Sequence, residues 1–128
     1  MAKSVATGSA RPAGAEERSL ERVRAACRSL TDNQGQDLVV LDLREQTALF
    51  DYFILATGRS GRQLRAMADD LESLLKREFR DRRLSVDGYK ESRWIVLDYG
   101  DIVIHLFDAQ SRNFYQLEEL WADARRVP

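Results

Sequence analysis

The segment RWIVLDYGDIVIHLF, Arg93 to Phe107, places Asp98, Tyr99 and Asp101 within four residues and carries the single histidine of the chain, His105. A lone histidine, with only a distant cysteine at Cys27, is poorly equipped to bind a transition metal, and no Ser or Cys nucleophile stands beside it in sequence. No catalytic residue, metal or cofactor is therefore expected. Strand alternation puts His105 on one face with Val103 and Phe107, so the expectation is an inward ring with one nitrogen hydrogen-bonded, bracing the sheet. Tyr99 and Gly100 read as a two-residue hairpin loop, which would leave the tyrosine exposed between Asp98 and Asp101. Tyrosine is a frequent interface anchor because it offers a large contact area with few rotatable bonds.

A second group of candidates lies in GRSGRQL, where Gly58, Arg59, Ser60 and Arg62 stand between a strand and a helix. Backbone N–H groups at such a turn can hold a phosphate. The spacing lacks the lysine of a P-loop and the full dinucleotide fingerprint, and a tight turn into a capped helix accounts for the glycines equally well. The Gly-Ser step is similar to that of the nucleotidyltransferase fold, whose enzymes hold metal with paired carboxylates on a strand. Here the only D-x-E pair, Asp70 and Glu72, falls on a helix, where residues two apart diverge by about 200°.

These groups must be positioned by a small set of elements. Leu20, Val23, Cys27 and Leu30 recur at helical spacing from Glu16 to about Leu30. DLVVLDL (Asp37–Leu43) and YFILAT (Tyr52–Thr57) read as buried strands. Ser60 and Gln63 form a capping-box pattern that opens a helix running to about Arg80, with Leu64, Met67, Ala68, Leu71, Leu75 and Phe79 on one face. A short strand follows in LSV, then strands at Arg93–Asp98 and Ile102–Phe107 that are apolar at nearly every position, which calls for helices on both faces of the sheet. One closing helix is expected in SRNFYQLEELWADARR, with Phe114, Leu117, Leu120, Trp121 and Ala124 on its buried face. The fold class is thus α/β, a single domain with a mixed five-stranded sheet and helices on both faces.

Among 128 residues, 20 Lys and Arg balance 21 Asp and Glu, so no global attraction to nucleic acid or anionic lipid exists. The balance is local. Asp87 to Asp123 holds eight acids, including Glu91, against three bases; Gly58 to Arg83 holds eight bases against five acids. The acidic half suits a basic protein partner or a merely solvated surface, and it repels nucleic acid. No apolar run approaches the roughly 18 residues of a membrane span, one cysteine fits a reducing cytosol, and the polar residues 1–15 read as a disordered tail ahead of a domain over 16–128.

Taken together, W-x-x-x-D-Y-G-D-x-x-x-H-x-F (Trp94, Asp98, Tyr99, Gly100, Asp101, His105, Phe107) and F-Y-x-L-E-x-L-W (Phe114, Tyr115, Leu117, Glu118, Leu120, Trp121) resemble the ribosomal silencing factor family, also called the Iojap family. The resemblance runs from about Glu17 to Ala124. It implies a degenerate nucleotidyltransferase-like fold without enzymatic activity, a cytoplasmic location, and binding to the large ribosomal subunit through ribosomal protein fourteen. Docking there would block the small subunit and lower translation when nutrients are short; organellar relatives assist large-subunit assembly. The expected docking residues are Trp94, Asp98, Tyr99, Asp101 and Glu91, with His105 and Trp121 structural. A homodimer of the free protein stays open, and direct RNA contact is at most secondary. The rival readings are an active nucleotidyltransferase and an RNA-binding module built on Arg59, Arg62, Arg65 and the Arg80–Arg83 cluster.

Overall fold

The computed structural model describes residues 14–127; the expected tail, 1–15, falls almost wholly outside them. Helix α1 (Ala15–Asp32) leads into strands β1 (Gln36–Asp42) and β2 (Tyr52–Gly58). Helix α2 (Gly61–Phe79) precedes β3 (Ser85–Asp87), β4 (Trp94–Asp98) and β5 (Ile102–Asp108). The chain closes with two short helices, α3 (Ala109–Tyr115) and α4 (Leu117–Leu120), and a final strand β6 (Arg125–Arg126). The sheet order is β3-β4-β5-β2-β1-β6, antiparallel except for β2 beside β5, which run parallel.

The central pair explains the unbroken apolar runs in the sequence. Every residue of β2 is buried, as are six of the seven in β5. One face of the sheet meets α1 and α2, where Tyr52, Ile54, Ala56, Ile104 and Leu106 pack with Leu64, Met67 and Leu71. On the other face, Phe53, Leu55, Val103 and Phe107 pack with Leu41, Leu43 and Leu117. Side chains one residue apart on a strand point to opposite faces, so two covered faces demand apolar residues at both. Ser60 caps helix α2, its Oγ accepting from Gln63 N–H at 3.1 Å, while Gln63 Oε1 accepts from Arg59 N–H, one residue before the cap, at 2.5 Å.

The C-terminal region departs from the sequence expectation. The expected single helix is broken at Gln116, whose φ of 47° is left-handed and ends α3. Arg112 accounts for the break. Its guanidinium donates to the Asp37 carbonyl (2.6 Å), to Thr57 Oγ1 (2.8 Å) and to both Glu118 oxygens (3.3 and 2.9 Å), pulling α3 and the start of α4 onto the ends of β1 and β2. The chain then runs back along β1, pairing Leu41 with Arg126 and Asp42 with Arg125. This supplies a sixth strand where five were expected. Phe114 and Leu120, assigned by periodicity to a buried stripe, are instead 77% and 75% exposed.

Candidate docking surface

Alternation along β4 divides the expected docking residues between two faces. Ile95, Leu97 and Tyr99 face α1 and α2, whereas Trp94 and Val96 pack with the opposite cluster. Tyr99 N–H donates to the Ile102 carbonyl at 2.9 Å, so Tyr99 remains in the ladder and the hairpin loop is Gly100–Asp101, not Tyr99–Gly100. Gly100 has φ +90°, the left-handed region a tight turn of this kind needs and glycine adopts without strain. Tyr99 is consequently 6% exposed, and the expected tyrosine at the tip is corrected: the ring belongs to the core. Burial, aided by the charges of Glu72 and Asp81, pushes its phenol up to about 12.

Asp101 is likewise turned inward. Arg22 of α1 donates to its two carboxylate oxygens at 2.9 and 3.0 Å, Ser19 Oγ lies 3.4 Å away, and Arg22 Nε also donates to Asp81 at 2.8 Å. Burial pushes the Asp101 carboxyl up, but hydrogen bonds and charge from Arg22 outweigh it and hold the group below the usual carboxylate range. Asp101 thus ties the hairpin to α1 and is not free to meet a partner.

The remaining residues gather on the other face. His105 lies beneath it, 6% exposed, with its ring 4.7 Å from Phe53 and 6.0 Å from Trp94, centroid to centroid. Trp94 Nε1 donates to His105 Nδ1 at 3.1 Å, which fixes the neutral tautomer with its proton on Nε2. Burial pushes the imidazole down to about 4. Above the histidine, Trp94 stacks on Phe107 (5.1 Å) and meets Tyr115 (4.7 Å), which in turn meets Phe114 edge-on (4.9 Å). These rings form a continuous chain from the core to the exposed Phe114. Trp121 is half-buried, its ring 5.8 Å from Phe53.

An acidic edge borders this chain. Asp98 follows Trp94 and Val96 at strand spacing, and its carboxylate accepts from Gly100 N–H at 2.8 Å. Asp87 of β3 pairs with Val96 and so shares that face, and exposed Glu91 lies in the loop between β3 and β4. The sequence pointed to Trp94, Asp98 and Glu91, and counted Asp87 among the acids of this half, but did not put Asp87 or Tyr115 on the Trp94 face and assigned Phe114 to a buried stripe. The pairing of β3 with β4 is what places Asp87 there; the break at Gln116, which exposes Phe114, has no Gly or Pro to mark it.

The glycine turn has a different use. A Cβ on Gly58 would stand 2.7 Å from Leu64 Cδ2, and one on Gly61 2.9 Å from Ser92 Cβ, so both glycines permit close packing. With Arg59 N–H and Ser60 Oγ engaged in the helix cap, the turn accounts for Gly58, Arg59 and Ser60, and Arg62 is simply exposed. Among the described residues no group of three or more His, Cys, Asp or Glu is placed to hold a metal ion. Burial pushes the Cys27 thiol up to about 11, far from the thiolate a nucleophile needs.

A family model described as "Ribosomal silencing factor during starvation" matches residues 16–128. The chain belongs to the ribosomal silencing factor family. It is 32% identical over 108 residues to Ribosomal silencing factor RsfS of Bacillus subtilis, covering 84% of this chain and 89% of that one. It is 31% identical over 94 residues to the mouse protein named Mitochondrial assembly of ribosomal large subunit protein 1, covering 72% of this chain and 41% of the mouse protein. The crystal structure of a Chromobacterium violaceum protein, 34% identical, superposes with a TM-score of 0.77, covering 80% of this chain and 85% of that one. The bacterial relatives bear the name of a silencing factor and not of an enzyme. Among the described residues no helix is long and apolar enough to cross a membrane.

Proposed function

We propose that this silencing factor docks on the large ribosomal subunit through the Trp94 face, gripping ribosomal protein fourteen, and so prevents the small subunit from joining. The observation that carries this reading is the ring chain Trp94–Tyr115–Phe114 beside the acids Asp87, Asp98 and Glu91. Half-exposed aromatics held by core packing lose little side-chain freedom on binding, and an acidic border steers a basic partner into register. The action is steric and involves no chemistry. A domain of this length is about 30 Å across, enough to occupy ground that a second subunit needs.

Repression of translation under starvation follows from such a block. The test is sedimentation of purified large and small subunits with increasing amounts of the protein. Wild type should deplete the joined ribosome, while Phe114→Ala and Asp87→Lys, at exposed positions, should each lower large-subunit affinity by at least about tenfold, the loss of one anchor, with native melting temperatures retained. Trp94→Ala should lower it too, at a cost in stability because the indole packs on Phe107 and bonds His105. Unchanged subunit joining in excess protein would remove the reading. A role in large-subunit assembly is the second reading, favoured by the name of the mouse relative. It predicts accumulation of immature large subunits when the protein is depleted.

A further inference from the structure

The opposite end of the sheet edge carries a charge pattern that the docking face does not use. Between Glu72 and Arg83 every acid but one is paired: Asp81 bonds inward to Arg22, and Glu72 pairs with Arg83. Glu78 reaches Arg77 only at 3.9 Å. Lys76, Arg80 and Arg82 are exposed and form no ion pair among the described residues. Bases in the last turn of α2 are favoured by the helix dipole, which accounts for Lys76 and Arg77 alone. Arg80 and Arg82 lie beyond the helix. Arg80 holds φ 54°, a left-handed position where glycine would be less strained.

These cations lie on the α2 side of the sheet, across from the Trp94 face, and reach its β3 edge. Lys76, Arg82 and Arg83 line one hollow of about 320 Å³ between the end of α2 and β3, together with Glu72 and Asp81, whose carboxylates are already engaged by Arg83 and Arg22. Strand β3 is the edge neighbour of β4, which bears Trp94. A molecule seated by its Trp94 face would therefore present this cationic flank to whatever borders its protein partner.

We infer that Lys76, Arg77, Arg80 and Arg82 form a second contact surface, one for the phosphate backbone of ribosomal RNA next to the docked ribosomal protein. The inference rests on the docking reading above and adds the partner's chemistry on a separate flank. Guanidinium groups match phosphate oxygens in a bidentate fork, and contacts of this kind bind without reading sequence. The acidic face then meets protein and the basic flank meets RNA, so one orientation satisfies both while the reversed one brings like charges together.

The test compares wild type, Trp94→Ala, and a variant combining Lys76→Gln, Arg77→Gln, Arg82→Gln and Arg80→Gly, the last removing a charge and relaxing the backbone. Each is titrated against intact large subunits and against purified ribosomal protein fourteen over a series of salt concentrations. The cation-depleted variant should bind the isolated ribosomal protein as wild type does. For intact subunits it should lose about tenfold or more in affinity at low salt, and its log–log salt slope should flatten by about 3. The same slope and affinity as wild type on subunits would overturn the RNA contact, as would an equal loss on the isolated protein. Trp94→Ala reads the docking face separately: if it binds both targets normally, the docking reading fails whatever the cations do. Two double variants, Lys76→Gln with Arg77→Gln and Arg80→Gly with Arg82→Gln, each expected to give about half the slope change, replace the quadruple should it not fold.

Discussion

The hydroxyl of Tyr99 and the Nε2 of His105 are buried without a hydrogen-bond partner among the described residues. An unpaired buried donor costs stability that a same-shaped apolar group would not. Tyr99→Phe should therefore leave the protein as stable or raise stability by up to about 1 kcal/mol, whereas Tyr99→Ala should cost about 3–5 kcal/mol by opening a cavity; urea denaturation measures both. His105 gives a pH signature. Its folded value, about 4, lies below the unfolded value of about 6.5, so the unfolded chain takes up a proton first as pH falls. That contribution is fully present above pH ~6.5 and is lost as pH falls through the folded value, about 3 kcal/mol in all. Unfolding midpoints between pH 7 and pH 4 should drop in wild type and stay flatter in His105→Phe. That variant also removes the acceptor for Trp94 Nε1 and should shift the indole fluorescence.

Helix α3 depends on Arg112 more than on its own short length. Arg112→Ala should cost about 2–3 kcal/mol, leaving Glu118 and Thr57 without their partner, and hydrogen exchange should quicken across 109–126 while α2 stays protected. The contrast follows how each element was specified. Helix α2 was legible because five buried apolar residues recur at helical spacing behind a Ser60–Gln63 cap. Strands β2 and β5 were legible because two-sided burial writes an unbroken apolar run. Strand β6 was not, since Arg125 and Arg126 have no pattern of their own and are held by hydrogen bonds to β1. Of the proposed docking residues, Trp94 and Asp98 could be read from one strand, but Tyr99 was misplaced by a single residue of turn register. Extending the Ile95–Leu97 alternation by one more step would have put it inside.

At the scale of the molecule, the acidic Trp94 face and the basic flank beyond β3 divide a nearly neutral chain into two poles, net −1 overall. Association with large subunits should therefore slow as ionic strength rises, which stopped-flow mixing measures as a falling on-rate. The parallel β2–β5 pair has its own consequence. Tyr52 aligns with Ile102 and Gly58 with Asp108, so the two innermost strands must wait for everything between them to be made. Pairings this distant along the chain close slowly. During synthesis, β2 must leave the exit tunnel with its most apolar edge still bare, and a nascent chain stalled before β5 is expected to be chaperone-bound or insoluble. A protein proposed to restrain translation thus itself depends on elongation running to the end of β5.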